Sequence, residues 1–128
     1  MSNGINKKFK NKNFIEALKN ALNGIVVAFK TESNIKIDFV ATILVIIACI
    51  IIKVTYLELL AIVLTIGLVL FAEMFNSVAE NIVDMITEEY NEKAKIIKDI
   101  SAGAVLITSI VAVLVAVIIF LNKYINIF

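Results

Sequence analysis

The most informative stretch of this chain is residues 57–85, LELLAIVLTIGLVLFAEMFNSVAENIVDM. Its outer two-thirds is almost entirely apolar, which predicts a helix able to cross a hydrocarbon core of about 30 Å. Its inner third instead carries Glu73, Asn76, Glu80 and Asp84. The stretch therefore predicts a membrane-spanning helix with a polar face at one end.

Two further apolar runs flank this helix, at about residues 35–52 and 100–121. Each has the roughly 20 residues that a spanning helix needs. With 61% hydrophobic and 18% charged residues among 128, the composition lies outside the range of soluble domains. The sequence predicts an all-α membrane protein with a single domain over residues 1–128.

The apolar residues of the segment 14–29 recur at the spacing of one helical stripe, which predicts an amphipathic helix lying in the membrane interface. The Lys-rich residues 1–12 are not followed directly by a short apolar stretch with a small-residue cleavage site, so a cleaved signal peptide is not expected.

The lysines predict the orientation of the chain in the membrane. Seven lysines precede or open the first crossing and three lie in the loop before the third crossing, which leaves Lys53 and Lys123 for the opposite side. The positive-inside rule then places the amino terminus and the second loop in the cytoplasm and the carboxyl terminus outside. The polar face of the second helix would point to the compartment that holds ATP.

Glu73, Asn76, Glu80 and Asp84 are spaced by 3, 4 and 4 residues. At about 100° per residue they share a single helix face within roughly 60°. A carboxylate near lipid depth is costly unless it meets protein, water, a metal or a cation, which makes this face a candidate site. The alternative is a solvated helix end, and for Asp84 that alternative carries about equal weight.

A second acidic group, with Glu32 and Asp38, opens the first crossing. If the first two crossings form an antiparallel hairpin, Glu32 and Glu80 lie at similar depth and could together hold Mg²⁺ with the phosphates of a nucleotide. An ordinary acidic helix start explains Glu32 equally well.

A third group, Lys98 and Asp99, precedes the last crossing. Lys98 could neutralise a polyphosphate, while Asp99 could cap the helix or bond a nucleotide sugar. Basic residues here are also what the membrane topology requires. Histidine is absent and no Gly-rich phosphate loop occurs, so no soluble-kinase motif supports ATP binding.

The pattern E-x-x-N-x-x-x-E-x-x-x-D over residues 73–84, followed by A-K-x-x-K-D over residues 94–99, resembles the signature of the prokaryotic diacylglycerol kinase family, which includes Gram-positive undecaprenol kinases. The resemblance covers nearly the whole chain. It implies a multi-pass protein of the bacterial inner membrane, and a homotrimer whose active sites lie at the boundary between membrane and cytoplasm. Gly103, Ala102, Ala104 and Ser109 would permit close helix contact on the third crossing.

The resemblance also implies a role for each matched residue. Glu73 would be the general base for the lipid hydroxyl, and Glu32 and Glu80 would hold the Mg²⁺ that accompanies ATP. The nucleotide contacts implied by the resemblance are Glu32, Asn76, Glu80, Tyr90, Asn91, Lys98 and Asp99. The supporting residues are Asn34, Asp38 and Asp84.

The chain departs from many relatives at four of its positions. Ser33 stands where many have Arg, and Asp38 where they have His or Glu. Asn13 and Asn20 replace aromatic or Arg contacts of the surface helix. These departures concern base recognition and lipid preference, because the residues implied in phosphoryl transfer are all present.

Taken together, these features predict an ATP-dependent lipid kinase with Mg²⁺ as its cofactor. Its partners would be ATP, a lipid bilayer and a membrane lipid alcohol, with undecaprenol the first choice and diacylglycerol the second; no nucleic acid is expected. The alternative is a small ion or proton transport subunit that uses the intramembrane carboxylates. Against it, the outer half of the second crossing offers few polar groups beyond Glu58 and Thr65.

Overall fold

The computed structural model describes residues 13–126, which form four α-helices in chain order. These are α1 (Phe14–Thr31), α2 (Ser33–Ile52), α3 (Tyr56–Ile86) and α4 (Glu92–Phe120), and a π-helical turn (Leu121–Ile125) continues α4. The helices α2, α3 and α4 with its π-helical turn are long and apolar enough to cross a membrane. The all-α membrane fold with three spanning helices is therefore confirmed.

The first helix begins at Asn13 because the side-chain oxygen of this residue accepts a hydrogen bond of 2.8 Å from the backbone N–H of Glu16. No residue of α1 is buried, and its apolar stripe, including Phe14, Leu18 and Leu22, is exposed. A membrane interface would cover such a stripe. The lysines at positions 7, 8, 10 and 12, which contribute to the expected orientation, lie outside the described residues.

Glu32 forms the corner between α1 and α2. Its backbone is extended, with φ −109° and ψ 114°, so the residue ends one helix and precedes the next. The rings of Phe29 and Phe39 meet edge to face across the corner, with their centroids 5.2 Å apart. Such an aromatic pair contributes about 0.5–1.5 kcal/mol. The Glu32 side chain is thereby placed where the surface helix meets the first crossing.

The fourth helix begins earlier than the third crossing expected at residues 100–121. Asn91 caps it by accepting hydrogen bonds from the backbone N–H groups of Lys93 (2.9 Å) and Ala94 (3.2 Å). The prediction that Asp99 could cap the helix is wrong, since Asp99 lies about two turns inside it. The polar composition of residues 92–99 lacks the apolar signal of a spanning helix and predicts a loop, whereas the structure has a helix there.

Within the single chain, α3 and α4 share the most extensive interface, whereas α2 contacts α3 over fewer residues. The buried apolar side chains of the described residues are Ile35, Cys49, Ala72, Val83 and Ile119. A Cβ added at Gly103 would meet no atom within 4 Å, so this glycine serves no close contact inside the chain. Most apolar surface is left for lipid or for another subunit.

The turn between α2 and α3 is held by hydrogen bonds from the π-helical turn that follows α4. Thr55 and Glu58 form a capping box at the start of α3, and Lys123 in the π-helical turn donates to the Glu58 carboxylate (3.3 Å) and to the carbonyl of Lys53 (2.9 Å). The side chains of Lys123 and Glu58 are only 21% and 13% exposed. We call these hydrogen bonds the Lys123 contacts.

Replacing Lys123 by Met should destabilise the fold, because the Glu58 carboxylate would lose its ion-pair partner and the carbonyl of Lys53 would lose a donor. Titration with sodium dodecyl sulfate in dodecylmaltoside micelles measures this free energy of unfolding. Lys93→Met is the matched control, since the exposed Lys93 side chain forms no ion pair with any residue in the range 13–126. Equal unfolding midpoints for both variants would show that the Lys123 contacts add no stability.

Candidate active site

Four carboxylates gather at the end of the bundle where α1 joins α2. We call Glu32, Asp38, Glu73 and Glu80 the carboxylate cluster. Each of these side chains is partly buried, and the negative charges of the other three act on Glu73. Repulsion between like charges is strong where water is scarce, so this arrangement calls for a bound cation or a proton.

The corner residue Glu32 is linked to α3 through Ser77. The hydroxyl of Ser77 donates to Oε1 of Glu32 over 2.8 Å. This contact places Glu32 one turn from Glu80, as an antiparallel hairpin of α2 and α3 requires. Sequence reasoning missed Ser77, although its spacing of four from Glu73 and three from Glu80 puts it on the same helix face.

Glu80 is linked to α4 through two polar side chains. The amide nitrogen of Asn76 lies 3.4 Å from Oε1 of Glu80, and the hydroxyl of Ser101 donates to Oδ1 of Asn76 over 2.7 Å. All three side chains are partly buried. Sequence reasoning also missed Ser101, because its partner depends on how α4 packs against α3.

The pair Glu32 and Glu80 fits the donor set that Mg²⁺ prefers. Each carboxylate has one oxygen, Oε1, engaged by a neighbouring side chain, and its Oε2 takes part in no hydrogen bond among the described residues. Within residues 13–126 no three acidic or cysteine side chains lie close enough to enclose a metal without help. Mg²⁺ is usually bound by one or two carboxylates together with phosphate oxygens and water, so these two residues suit a metal that arrives with a nucleotide.

A polar cleft of about 380 Å³ lies between the end of α3 and the start of α4. Four of the residues predicted to contact a nucleotide line it: Tyr90, Asn91, Lys98 and Asp99. Asp84, predicted as a supporting residue, lines it too. The connection between α3 and α4 is short, so these positions lie around one cleft in the structure. Their nearness along the chain is consistent with this arrangement but does not establish it.

Both lysines of this cleft form internal ion pairs. Lys98 contacts Asp84 across the two helices over 2.8 Å, and Lys95 contacts Asp99 along α4 over 2.6 Å. The lining also includes Glu88 and Glu89 and therefore carries four carboxylates and two ammonium groups. A polyphosphate would need a divalent cation, and Lys98 would have to exchange Asp84 for phosphate oxygens.

Asp38 lies at the border between the carboxylate cluster and the membrane interior. Its Oδ2 is buried and has no hydrogen-bond partner in the described part of the chain, an arrangement that costs free energy. A cavity of about 140 Å³ beside it is lined mainly by apolar side chains of α2, α3 and α4. A second cavity of about 300 Å³ shares Val45 and Thr65 with the first and continues to Cys49.

Other residues singled out by sequence lie apart from this arrangement. Asn34 is exposed and forms no hydrogen bond to the carboxylate cluster. Ser33 is the first residue of α2, and Asn13 is the cap of α1. Asn13 thus has a structural role that accounts for an amide side chain at that position.

These features define an integral membrane protein with an acidic site and a lysine-bearing cleft at one end of its helices. The chain matches the family described as prokaryotic diacylglycerol kinase over residues 19–120, and it belongs to this family. The resemblance noted from the motifs is confirmed. The protein is accordingly an enzyme of a membrane kinase family, and the comparisons do not favour the ion-transport alternative.

Two relatives illustrate the range of the family. The chain is 35% identical over 104 residues to a diacylglycerol kinase of Synechocystis sp., covering 80% of this chain and 59% of the relative. It is 31% identical over 110 residues to the undecaprenol kinase of Bacillus subtilis, covering 86% of this chain and 89% of the relative. The chain thus spans little more than half of the first relative and most of the second.

Proposed function

We propose that this protein transfers the γ-phosphate of ATP to the hydroxyl of a membrane lipid alcohol. The observation that carries the proposal is the position of the carboxylate cluster, which lies between a lysine-bearing polar cleft and open apolar cavities between α2, α3 and α4. A phosphoryl donor from water and an acceptor from the bilayer could meet there. Phosphoryl transfer requires positioned groups and charge neutralisation more than covalent chemistry from the protein.

Glu73 is the proposed general base. It is partly buried and lies near the three other carboxylates of the cluster. A carboxylate of this kind can accept the hydroxyl proton of the lipid as the lipid oxygen attacks the γ-phosphorus, while the bond from that phosphorus to the β–γ bridging oxygen breaks and ADP leaves. Leaving the proton on Glu73 also relieves the repulsion within the carboxylate cluster.

Glu32 and Glu80 are the proposed ligands of Mg²⁺. When bound, the metal would neutralise phosphate charge, both in the ground state and during transfer. Tyr90, Asn91, Lys98 and Asp99 are the proposed nucleotide contacts. Lys98 is the member of this group with the strongest electrostatic argument, because it is the ammonium that links the two helices across the cleft.

The lipid alcohol is proposed to be undecaprenol first and diacylglycerol second. A hydroxyl near Asp38 would supply the donor that its buried Oδ2 lacks, and a hydrocarbon chain would suit the apolar cavities that begin beside it. One relative is named for each lipid. The undecaprenol kinase is preferred as a guide because the alignment covers 89% of its length, against 59% for the diacylglycerol kinase.

The protein is further proposed to act as a homotrimer in the bacterial inner membrane, with its amino terminus and active site in the cytoplasm. The excess of lysines on one side supports the orientation. The exposed apolar faces of the single chain, together with the open space at Gly103, support association with other subunits.

The substrate choice is tested by offering undecaprenol and diacylglycerol together, at equal mole fractions, in micelles with MgATP labelled at the γ-phosphate. We expect label in both lipid products, with the larger kcat/KM for undecaprenol. Thin-layer chromatography separates the two phosphorylated lipids. A preference for diacylglycerol would reverse the substrate order. If folded protein produced no labelled lipid, the kinase proposal would be overturned.

A further inference from the structure

We infer that Ser101 is a positioning residue, which holds Asn76 in the orientation that directs its amide nitrogen toward Glu80. The inference rests on the proposed function, in which Glu80 is a ligand of Mg²⁺. It concerns a residue of α4 that has no part in the motifs noted in the sequence.

The geometry forms a short chain of hydrogen bonds from one helix to the other. Ser101 on α4 donates to Oδ1 of Asn76 on α3 over 2.7 Å, and Nδ2 of Asn76 lies 3.4 Å from Oε1 of Glu80. The Ser101 hydroxyl also lies 3.0 Å from the carbonyl of Lys98 in its own helix. Of these two distances from the Ser101 hydroxyl, the one to Asn76 on the neighbouring helix is the shorter.

The chemistry of the three groups permits only one arrangement that satisfies them all. An ionised carboxylate can only accept hydrogen bonds, so the Asn76 group that faces Glu80 must be its NH₂. Oδ1 of Asn76 then faces α4 and needs a donor, which the Ser101 hydroxyl supplies. If Asn76 turned over, its oxygen would face the carboxylate and the two would repel each other.

Loss of the Ser101 hydroxyl would therefore release Asn76 and, through it, one oxygen of Glu80. Groups that orient a metal ligand commonly affect metal affinity although they do not touch the metal. One neutral hydrogen bond is involved, so the affinity should fall by roughly 3- to 10-fold and not be abolished. A purely structural role for Ser101 would leave the affinity for metal and nucleotide unchanged.

The experiment measures equilibrium binding without turnover. Mn²⁺ replaces Mg²⁺ as a paramagnetic probe, and its binding in the presence of a non-hydrolysable ATP analogue is followed by electron paramagnetic resonance. Wild type is compared with Ser101→Ala and with Ser101→Thr, which keeps the hydroxyl. Ser109→Ala is the matched control, because the Ser109 hydroxyl donates to Val105 within the same helix.

We expect Ser101→Ala to bind Mn²⁺ roughly 3- to 10-fold more weakly, Ser101→Thr to recover most of that loss, and Ser109→Ala to match wild type. In an Asn76→Ala background, Ser101→Ala should have little further effect. Equal affinity of Ser101→Ala and wild type, or an unchanged loss in the Asn76→Ala background, would overturn the inference. Failure of wild type itself to bind Mn²⁺ with the nucleotide analogue would instead count against the proposed function.

Discussion

Glu73→Gln is expected to lower the rate of phosphoryl transfer to lipid by about 10²- to 10⁴-fold, the range that a general base contributes. Glutamine keeps the size and much of the polarity of the side chain but cannot take the proton from the lipid hydroxyl. Its neutral amide also removes a charge from the carboxylate cluster, which should leave the fold intact. The turnover rate at saturating concentrations of MgATP and lipid measures the change.

Nucleotide affinity distinguishes a variant that has lost only its general base from a variant whose nucleotide-binding site is disrupted. Glu73→Gln should bind a non-hydrolysable ATP analogue with Mg²⁺ about as well as wild type, since Glu73 is not among the proposed metal or nucleotide contacts. Glu92→Gln is the matched control, because Glu92 is exposed in the first turn of α4. If Glu73→Gln kept a rate within a few-fold of wild type, Glu73 would not be the general base.

Lys98→Met is expected to raise the KM for MgATP by roughly 10- to 100-fold, with a smaller effect on kcat. Lys98 would donate charge-assisted hydrogen bonds to phosphate oxygens, and methionine preserves most of the length of the side chain without its charge. The variant also leaves Asp84 without its ion-pair partner, which adds a negative charge facing the incoming phosphates. Initial rates over a range of ATP concentrations measure both constants.

Lys95→Met provides the control for net charge. Lys95 lines the same cleft but pairs with Asp99 along one exposed helix face, with side-chain exposures of 59% and 62%. Exposed pairs at this spacing contribute little, so the KM for ATP should change by no more than about 3-fold. Equal effects of the two substitutions would indicate that only the overall charge of the cleft matters, and not a contact from Lys98.

The sequence was sufficient to predict the helices that cross the membrane and the polar face of α3. Apolar length reports membrane crossings directly, since few other environments cover such runs. The spacing of Glu73, Asn76 and Glu80 reports a shared face because the helical period is fixed. Both signals are local, which is why they can be read along one chain.

The parts that escaped prediction depend on contacts between helices or on local capping. The Ser101–Asn76 bond requires the register of α4 against α3, and no periodicity within α4 specifies it. The unpartnered Oδ2 of Asp38 likewise emerges only when three helices are placed together. The start of α4 was missed because the Asn91 cap lies in a run of charged residues that resembles a loop.

The proposed kinase activity is tested most directly in sealed proteoliposomes that contain undecaprenol and are supplied with MgATP labelled at the γ-phosphate. We expect wild type to move label into the lipid phase as undecaprenyl monophosphate, and Glu73→Gln to leave the label in ATP. Folded wild type that produces no labelled lipid, with either undecaprenol or diacylglycerol as acceptor, would contradict the proposed function.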